Sequence, residues 1–451
     1  MGFFVLSSFP PSNDTSISQV NALYRRLSDL ETNVYKRFGV VTSMSRDTFT
    51  HGINPLELRM FTESLQRLSF RADGAVLCRV LQRALDDYIR NICDLSYMIQ
   101  SFKKPLIIYA NGVTGGFGAC MVSIANVGAC YKHSRMRWNN LEFGVPLLGG
   151  QSYVLAMLRG SLGEYLALTG HELKGEDLIW SGLVKRFISP DAFGVMQLTA
   201  ERLVEMPEKE TEFQIQEHFM PLETNYSLDK FEWLIHEHFS MPSVASIISS
   251  LDRGVPLTKL RSQTSLSEKY VRDWEARVLD MITQYTKDKH DDADTILNLI
   301  RDTRAYKLEV FKTLKLSPNR WKELQQFVHR PAVTAHDHNN RELLHSIHAE
   351  ILLEALQLEA SSFLHTVGKT AHASKDTVWS VSQFSKYPFT PCYRSGVSLS
   401  SLPCLRKLHP DYDASTGSDH DALRMKRHSE RWSDDFLQRE LLLMRRILTT
   451  S

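Results

Sequence analysis

The chain has 451 residues, enough for two or three domains of ordinary size or one domain with a large appendage. Its 53 Lys and Arg balance 52 Asp and Glu, and 43% of the residues are hydrophobic. That composition excludes a wholly disordered chain and a strongly basic nucleic-acid binder, although global neutrality is compatible with a local basic face. No apolar run approaches the roughly 20 residues that cross a bilayer, so no membrane partner is expected. The six cysteines form no CxxC pair, which predicts buried thiols in a reducing compartment, with no zinc site and no disulfides.

The chain opens on a short apolar run, Phe3 to Ser7, with no basic flank and no Arg-rich presequence. Any organelle signal is therefore expected upstream of this sequence or inside it. Val20, Leu23, Leu27, Leu30 and Val34 recur at helical spacing, and Gly39 to Thr42 reads as a β-branched strand. Asn54-Pro55-Leu56-Glu57 marks a helix start, with Asn as cap and Pro at the first helical position. Helical patterning follows over 56–69 and 74–102, with Val80, Leu81, Leu85 and Ile89 among its apolar positions. Pro105 to Ala110 is a continuous apolar strand that enters the glycine-rich turn Asn111 to Gly118. This strand–turn–helix order repeats that of 39–56 and predicts an α/β fold.

Beyond residue 190 the pattern is helical. Residues 331–451 are charge-balanced, with 14 Lys or Arg against 14 Asp or Glu, and hold 9 of the 17 histidines. Helices are predicted there at about 341–366 and 430–448, joined by Ser- and Asp-rich loops. Their apolar faces need a surface to pack on, from the core or from an assembly. Removing 331–451 is expected to leave a folded core.

One segment carries a family resemblance. Lys104-Pro105, Asn111-Gly112, the Gly115–Gly118 turn, Gly160-Ser161-Leu162-Gly163-Glu164-Tyr165-Leu166-Ala167-Leu168-Thr169-Gly170 and Leu173-Lys174-Gly175-Glu176-Asp177 follow one another as in the crotonase superfamily. Within it the chain resembles the 3-hydroxyisobutyryl-CoA hydrolases. The resemblance implies a crotonase-type ββα spiral core at 1–190, a helical C-terminal part at 191–330 and a family-atypical, α-rich extension at 331–451.

The same resemblance places the chemistry. Thioester hydrolysis in that family needs two backbone N–H groups as an oxyanion hole and acids beside the carbonyl. Ile53 and Phe117 fall at the two donor positions, and a benzyl group at 117 is expected to crowd the thioester. Asn140 and Leu148 fall at the hydrolase's two acid positions, and Cys120 at the hydratase's glutamate. Neither Asn140 nor Leu148 can serve as a base at neutral pH, and Cys120, which could be a reactive thiol, reads as a core residue in its apolar helix. Glu142 could supply a relocated acid, and Trp138 is expected to plug the former pocket. Asp177 is expected to cap a helix, and His336, His338, His345 and His348 to form a solvated stretch rather than a metal cluster. The basic runs at 424–428 and 445–446 read as solvated faces.

These positions predict a degenerate site without catalytic residues, cofactor or metal, and hence a structural protein. A hydrolase-like protein of this family belongs to the small subunit of mitochondrial ribosomes, so the resemblance implies that role. It would place the chain in the mitochondrial matrix, in a large ribonucleoprotein assembly of mitoribosomal proteins and rRNA. The alternatives are an acyl-CoA thioester hydrolase with a relocated acid and a CoA-ester-binding pseudoenzyme.

Overall fold

In chain order the first half comprises β1 (Gly2–Leu6), α1 (Ile17–Thr32), β2 (Gly39–Ser43), β3 (Thr48–Thr50), α2 (Pro55–Ser69) and α3 (Gly74–Ser101). Then come β4 (Leu106–Ala110), β5 (Val113–Gly115), α4 (Gly116–Ile124), β6 (Val127–Cys130), β7 (Arg135–Arg137) and α5 (Asn140–Phe143). Next are α6 (Gln151–Met157), α7 (Leu162–Thr169), β8 (Leu173–Lys174), α8 (Glu176–Trp180) and β9 (Arg186–Phe187). The computed structural model describes residues 2–6, 14–36, 38–43, 45, 47–69, 74–188, 226–264, 266–287, 289–326 and 334–370. They fall within one compact unit, Met1–Tyr387. The helix expected at 430–448 and the basic runs lie outside the described residues.

Two sheets run through this half. The larger has the order β1-β2-β4-β6-β9 and is parallel throughout. The smaller, β3-β5-β7-β8, is parallel except for its last pair. Each turn from a large-sheet strand into a small-sheet strand, β2 to β3 and β4 to β5, delivers the chain to one edge, where the glycine turns sit. All five residues of β2 and of β4 are buried, as their unbroken apolar runs predict for strands covered on both faces.

Local signals explain the helices. Ser16 and Gln19 close a capping box at the start of α1, and Val20, Leu23, Leu27 and Leu30 are buried along one stripe. Val34, which continues that spacing in sequence, lies past the helix end and is exposed. Asn54 caps α2 as its sequence predicts, its Oδ1 accepting the Leu56 N–H at 2.9 Å. On α3, Leu81, Leu85 and Ile89 are buried while Val80 faces outward.

The second half is helical: α9 (Glu232–Phe239), α10 (Val244–Arg253), α11 (Leu257–Gln263), α12 (Glu268–Thr286), α13 (His290–Thr313), α14 (Pro318–Gln325) and α15 (Ala335–Thr370). An aromatic cluster of Tyr165, Phe231, Phe239 and Trp274 joins α7 to α9 and α12. Helix α15 packs on α3, α6 and α13 and buries Leu344, Ile347, Ile351, Leu352, Leu356 and Phe363. Removing 331–451 would strip that face from the core. His336 and His338 are exposed as expected, but His345 and His348 are half-buried. His348 pairs through Nδ1 with the Tyr153 hydroxyl and lies against Trp321. Among the described residues no helix is long and apolar enough to cross a membrane.

Candidate functional site

Two turns meet at the sheet edge. Gly52, at φ +107°, follows β3, and its backbone is held by Thr15, whose N–H donates to the Gly52 carbonyl at 2.7 Å. The Asn54 N–H returns to the Thr15 carbonyl at 3.1 Å. This short parallel bridge uses the groups on either side of Ile53 and leaves the Ile53 N–H without an acceptor among the described residues. The second turn opens α4 at Gly116, at φ +41°. Phe117 lies in the first turn of that helix, where an N–H has no intrahelical acceptor, and it finds none elsewhere among the described residues.

Glycine is required where the turns touch. A Cβ on Gly52 would stand 3.2 Å from the Gly115 carbonyl oxygen and 3.4 Å from the Phe117 nitrogen. Asn139 fastens the two turns, its Nδ2 donating to the His51 carbonyl at 3.2 Å. The turn that carries Ile53 thus lies against the turn that opens α4 at Gly116 and Phe117.

Three side-chain amides close over this place. Asn140 Nδ2 donates to the Pro146 carbonyl at 3.1 Å, and Gln151 Nε2 to the Leu148 carbonyl at 2.9 Å. Those bonds fix which end of each amide is oxygen, because a flipped group would face oxygen with oxygen. The oxygens converge on Gly116: Gln151 Oε1, Asn139 Oδ1 and Asn140 Oδ1 lie 3.4, 3.5 and 3.6 Å from the position its Cβ would take. Asn140 Oδ1 and Gln151 Oε1 are buried and have no hydrogen-bond partner among the described residues.

The other expected site residues fill volume. The Phe117 ring lies against Gly149, whose Cβ would be 2.6 Å from its Cε2, and so occupies the interior beside Leu148. Leu148 is fully buried, as is Trp138, whose carbonyl accepts the Tyr285 hydroxyl at 3.3 Å. Cys120 donates to the Gly149 carbonyl at 3.1 Å, and burial together with the Glu359 carboxylate pushes its thiol well above the ordinary range. It stays protonated. Glu142 forms an ion pair with Arg137 at 3.5 Å. Asp177 does not cap its own helix: it accepts the Ser227 N–H at 2.8 Å and the Leu228 N–H at 3.3 Å, tying the helical half to α8.

Sequence reasoning did not single out Asn139, Gln151 or Glu359. Glu359, on α15, is fully buried behind Cys120 and accepts the N–H of Gly150 at 2.7 Å and of Ser152 at 2.5 Å. Burial pushes its carboxyl up to about 7, against the pull of the donors at Ser152, Gly150 and Gly149. Among the described residues, no group of three or more His, Cys, Asp or Glu could hold a metal ion.

Paired strand–turn–helix units with facing N–H groups on a spiral of parallel strands are the build of a crotonase fold. The chain belongs to the enoyl-CoA hydratase/isomerase family, which matches residues 12–292. Its relatives include 3-hydroxyisobutyryl-CoA hydrolase-like protein 5 of Arabidopsis thaliana, 30% identical over 163 residues, or 35% of this chain and 41% of that one. The mitochondrial 3-hydroxyisobutyryl-CoA hydrolase of Xenopus tropicalis is 29% identical over 185 residues, 38% of this chain and 45% of its own. The chain thus spans less than half the length of these two curated relatives. A carnitinyl-CoA dehydratase from Mycobacterium thermoresistibile shares the fold, with a TM-score of 0.51 at 15% identity over 78% of this chain and 79% of its own.

Proposed function

We propose that this chain is a non-catalytic crotonase-family protein that serves as a structural component of the mitochondrial ribosomal small subunit. One observation carries the non-catalytic part. At the acid positions stand an amide tied to the Pro146 carbonyl and a fully buried leucine, so neither of these positions offers a base beside the two N–H groups. The relocated-acid alternative is disfavoured by Glu142, whose side chain is 42% exposed and faces Arg137. Mitochondrial relatives support the compartment. The ribosomal role rests on the family resemblance together with the site's lack of acids.

The test has two arms. Purified full-length chain is assayed with 3-hydroxyisobutyryl-CoA and crotonyl-CoA, and tagged chain from mitochondria is sedimented through a gradient. No turnover and migration with the small subunit are expected. Turnover that disappears in Glu142→Gln would restore the hydrolase reading. Free migration at monomer size would remove the ribosomal role.

A further inference from the structure

The turn that leaves α1 toward β2 is fastened from outside and from within. Lys104, two residues before β4, directs its whole ammonium group at it. Its Nζ donates to the carbonyls of Leu30, Asn33 and Lys36 at 2.7, 2.6 and 2.7 Å, which uses all three of its protons. Within the turn, Asn33 Oδ1 accepts the Tyr35 N–H at 2.9 Å, and the Asn33 carbonyl accepts the Lys36 N–H at 3.2 Å. The Lys103 N–H donates to the Glu31 carboxylate at 3.1 Å, which ties the 103–104 backbone to the end of α1.

What this frame presents is apolar. Val34 is 81% and Tyr35 82% exposed, the highest values of any large hydrophobic side chain among the described residues. Turns favour Gly, Pro, Asn, Asp or Ser, and neither a β-branched nor an aromatic side chain helps one to form. Single surface hydrophobics are ordinary, but two side by side on a fastened tip are not explained by folding.

The chemistry of a partner follows from the groups around the tip. Tyr35 offers a large contact area with two side-chain torsions to freeze, and a turn already held loses little more freedom on binding. Lys36 in the turn and Lys103 beside it have no ion-pair partner among the described residues. Asp29 lies further back, on the last turn of α1, where its carbonyl accepts the Asn33 N–H. Carboxylates on a partner would therefore meet two uncompensated cations. An RNA strand could use both lysines and the Tyr35 ring, but it would leave Val34 in water, since that side chain has neither charge nor flat face. A second copy meeting this turn across a two-fold axis would set lysine against lysine.

We propose that the Asn33–Lys36 turn is an anchor that docks into an apolar, carboxylate-rimmed pocket of another protein. Two side chains fall well short of the roughly 800 Å² per partner of a stable interface, so the anchor belongs to a wider contact. The inference rests on the reading of this chain as a structural component of an assembly, and it names the chemistry of one neighbour.

Two measurements on the full-length chain test this, each made on the purified protein and on its complex sedimented from mitochondria. The first is iodination of Tyr35, and the second is carbodiimide coupling, which joins a lysine to a carboxylate in direct contact; both are read by mass spectrometry. Tyr35 is expected to label at least about tenfold more slowly in the complex, and Lys36 or Lys103 to couple to an Asp or Glu of another protein. Val34→Ser with Tyr35→Ser is expected to weaken attachment at least about tenfold, and Lys36→Glu with Lys103→Glu to release the chain at lower salt. If either variant fails to fold, the two measurements on the unaltered chain still decide. Equal labelling in both states would overturn the proposal, and protection without any such coupling would point to RNA instead. Coupling only between copies of this chain would point to self-association and overturn it equally. The ribosomal reading fails separately: protection and coupling in a different complex keep the anchor and remove that role. An unprotected Tyr35 in the small subunit does the reverse, and migration as a monomer removes both.

Discussion

Glu359 Oε2 accepts the Gly150 N–H at 2.7 Å across 209 positions of sequence. Its other oxygen takes the Ser152 N–H, so one carboxylate from α15 caps the start of α6 and braces the loop that carries Leu148. The helix beyond the family match is thereby bonded to the backbone around the candidate site.

Replacing Glu359 with Ala should leave two buried N–H groups without an acceptor. Such losses cost roughly 1–3 kcal/mol each, so a fall of about 2–6 kcal/mol in urea-denaturation stability is expected. Glu359→Gln keeps one acceptor oxygen and should lose less. Equal stability of Glu359→Ala and the parent chain would show that the contact is incidental.

Two sites on α15 should give opposite pH limbs. Burial depresses His345 to about 4 and His348 to about 3, so their contribution is present above about 6.5 and fades as pH falls toward those values. Burial instead raises Glu359 to about 7, so its contribution is largest below about 4.5 and fades as pH climbs through about 7. Denaturation midpoints across pH 4–8 should therefore show a flatter acid limb in His348→Gln and a flatter neutral limb in Glu359→Gln. Identical profiles would refute the assignment.

Gly163, inside the family-like run at 160–170, is a packing requirement. A Cβ there would stand 2.2 Å from the Leu155 carbonyl oxygen and 3.1 Å from the Leu155 Cα, all backbone that cannot rotate aside. Gly163→Ala should cost about 1–3 kcal/mol by forcing α6 and α7 apart, read as a lowered Tm.

Arg304 on α13 forms a two-pronged pair with Glu164 on α7, with Nη2 to Oε2 at 2.8 Å. The Glu164 side chain is only 1% exposed. Arg304→Leu should strand that carboxylate and cost about 3–5 kcal/mol. The double change Arg304→Leu with Glu164→Leu should recover a large part of the loss, and a double variant as unstable as the single one would argue against a desolvated pair.

Much of this was legible in the sequence. Strands such as β4 read as buried because an unbroken apolar run has no face for water, and Asn54 read as a cap because its amide and the following proline allow little else. The family resemblance at 104–188 assigns positions 117, 140 and 148, and that at 49–54 assigns position 53. The polar network was not legible. Asn139 and Gln151 act through carbonyls and glycine faces that only the folded backbone brings near, and no local pattern marks such a convergence. His345 and His348 read as solvated because an imidazole on a polar helix looks the same facing water or Trp321. Glu359 gave no signal at all: its partners are more than 200 residues away and are backbone groups, which leave no trace in residue type.

The Glu359 contact also sets a clock on synthesis. At about 5–20 residues per second, the 209 positions between Gly150 and Glu359 take roughly 10–40 s to emerge. Throughout that interval the start of α6 lacks its cap, and the apolar surfaces of α3 and α6 lack the cover that α15 gives them. The N-terminal sheets can form early, but closure of the interior must wait for the helix at 335–370. The nascent chain therefore passes through a long-lived, half-covered state, in which a holding chaperone has its binding surface already exposed.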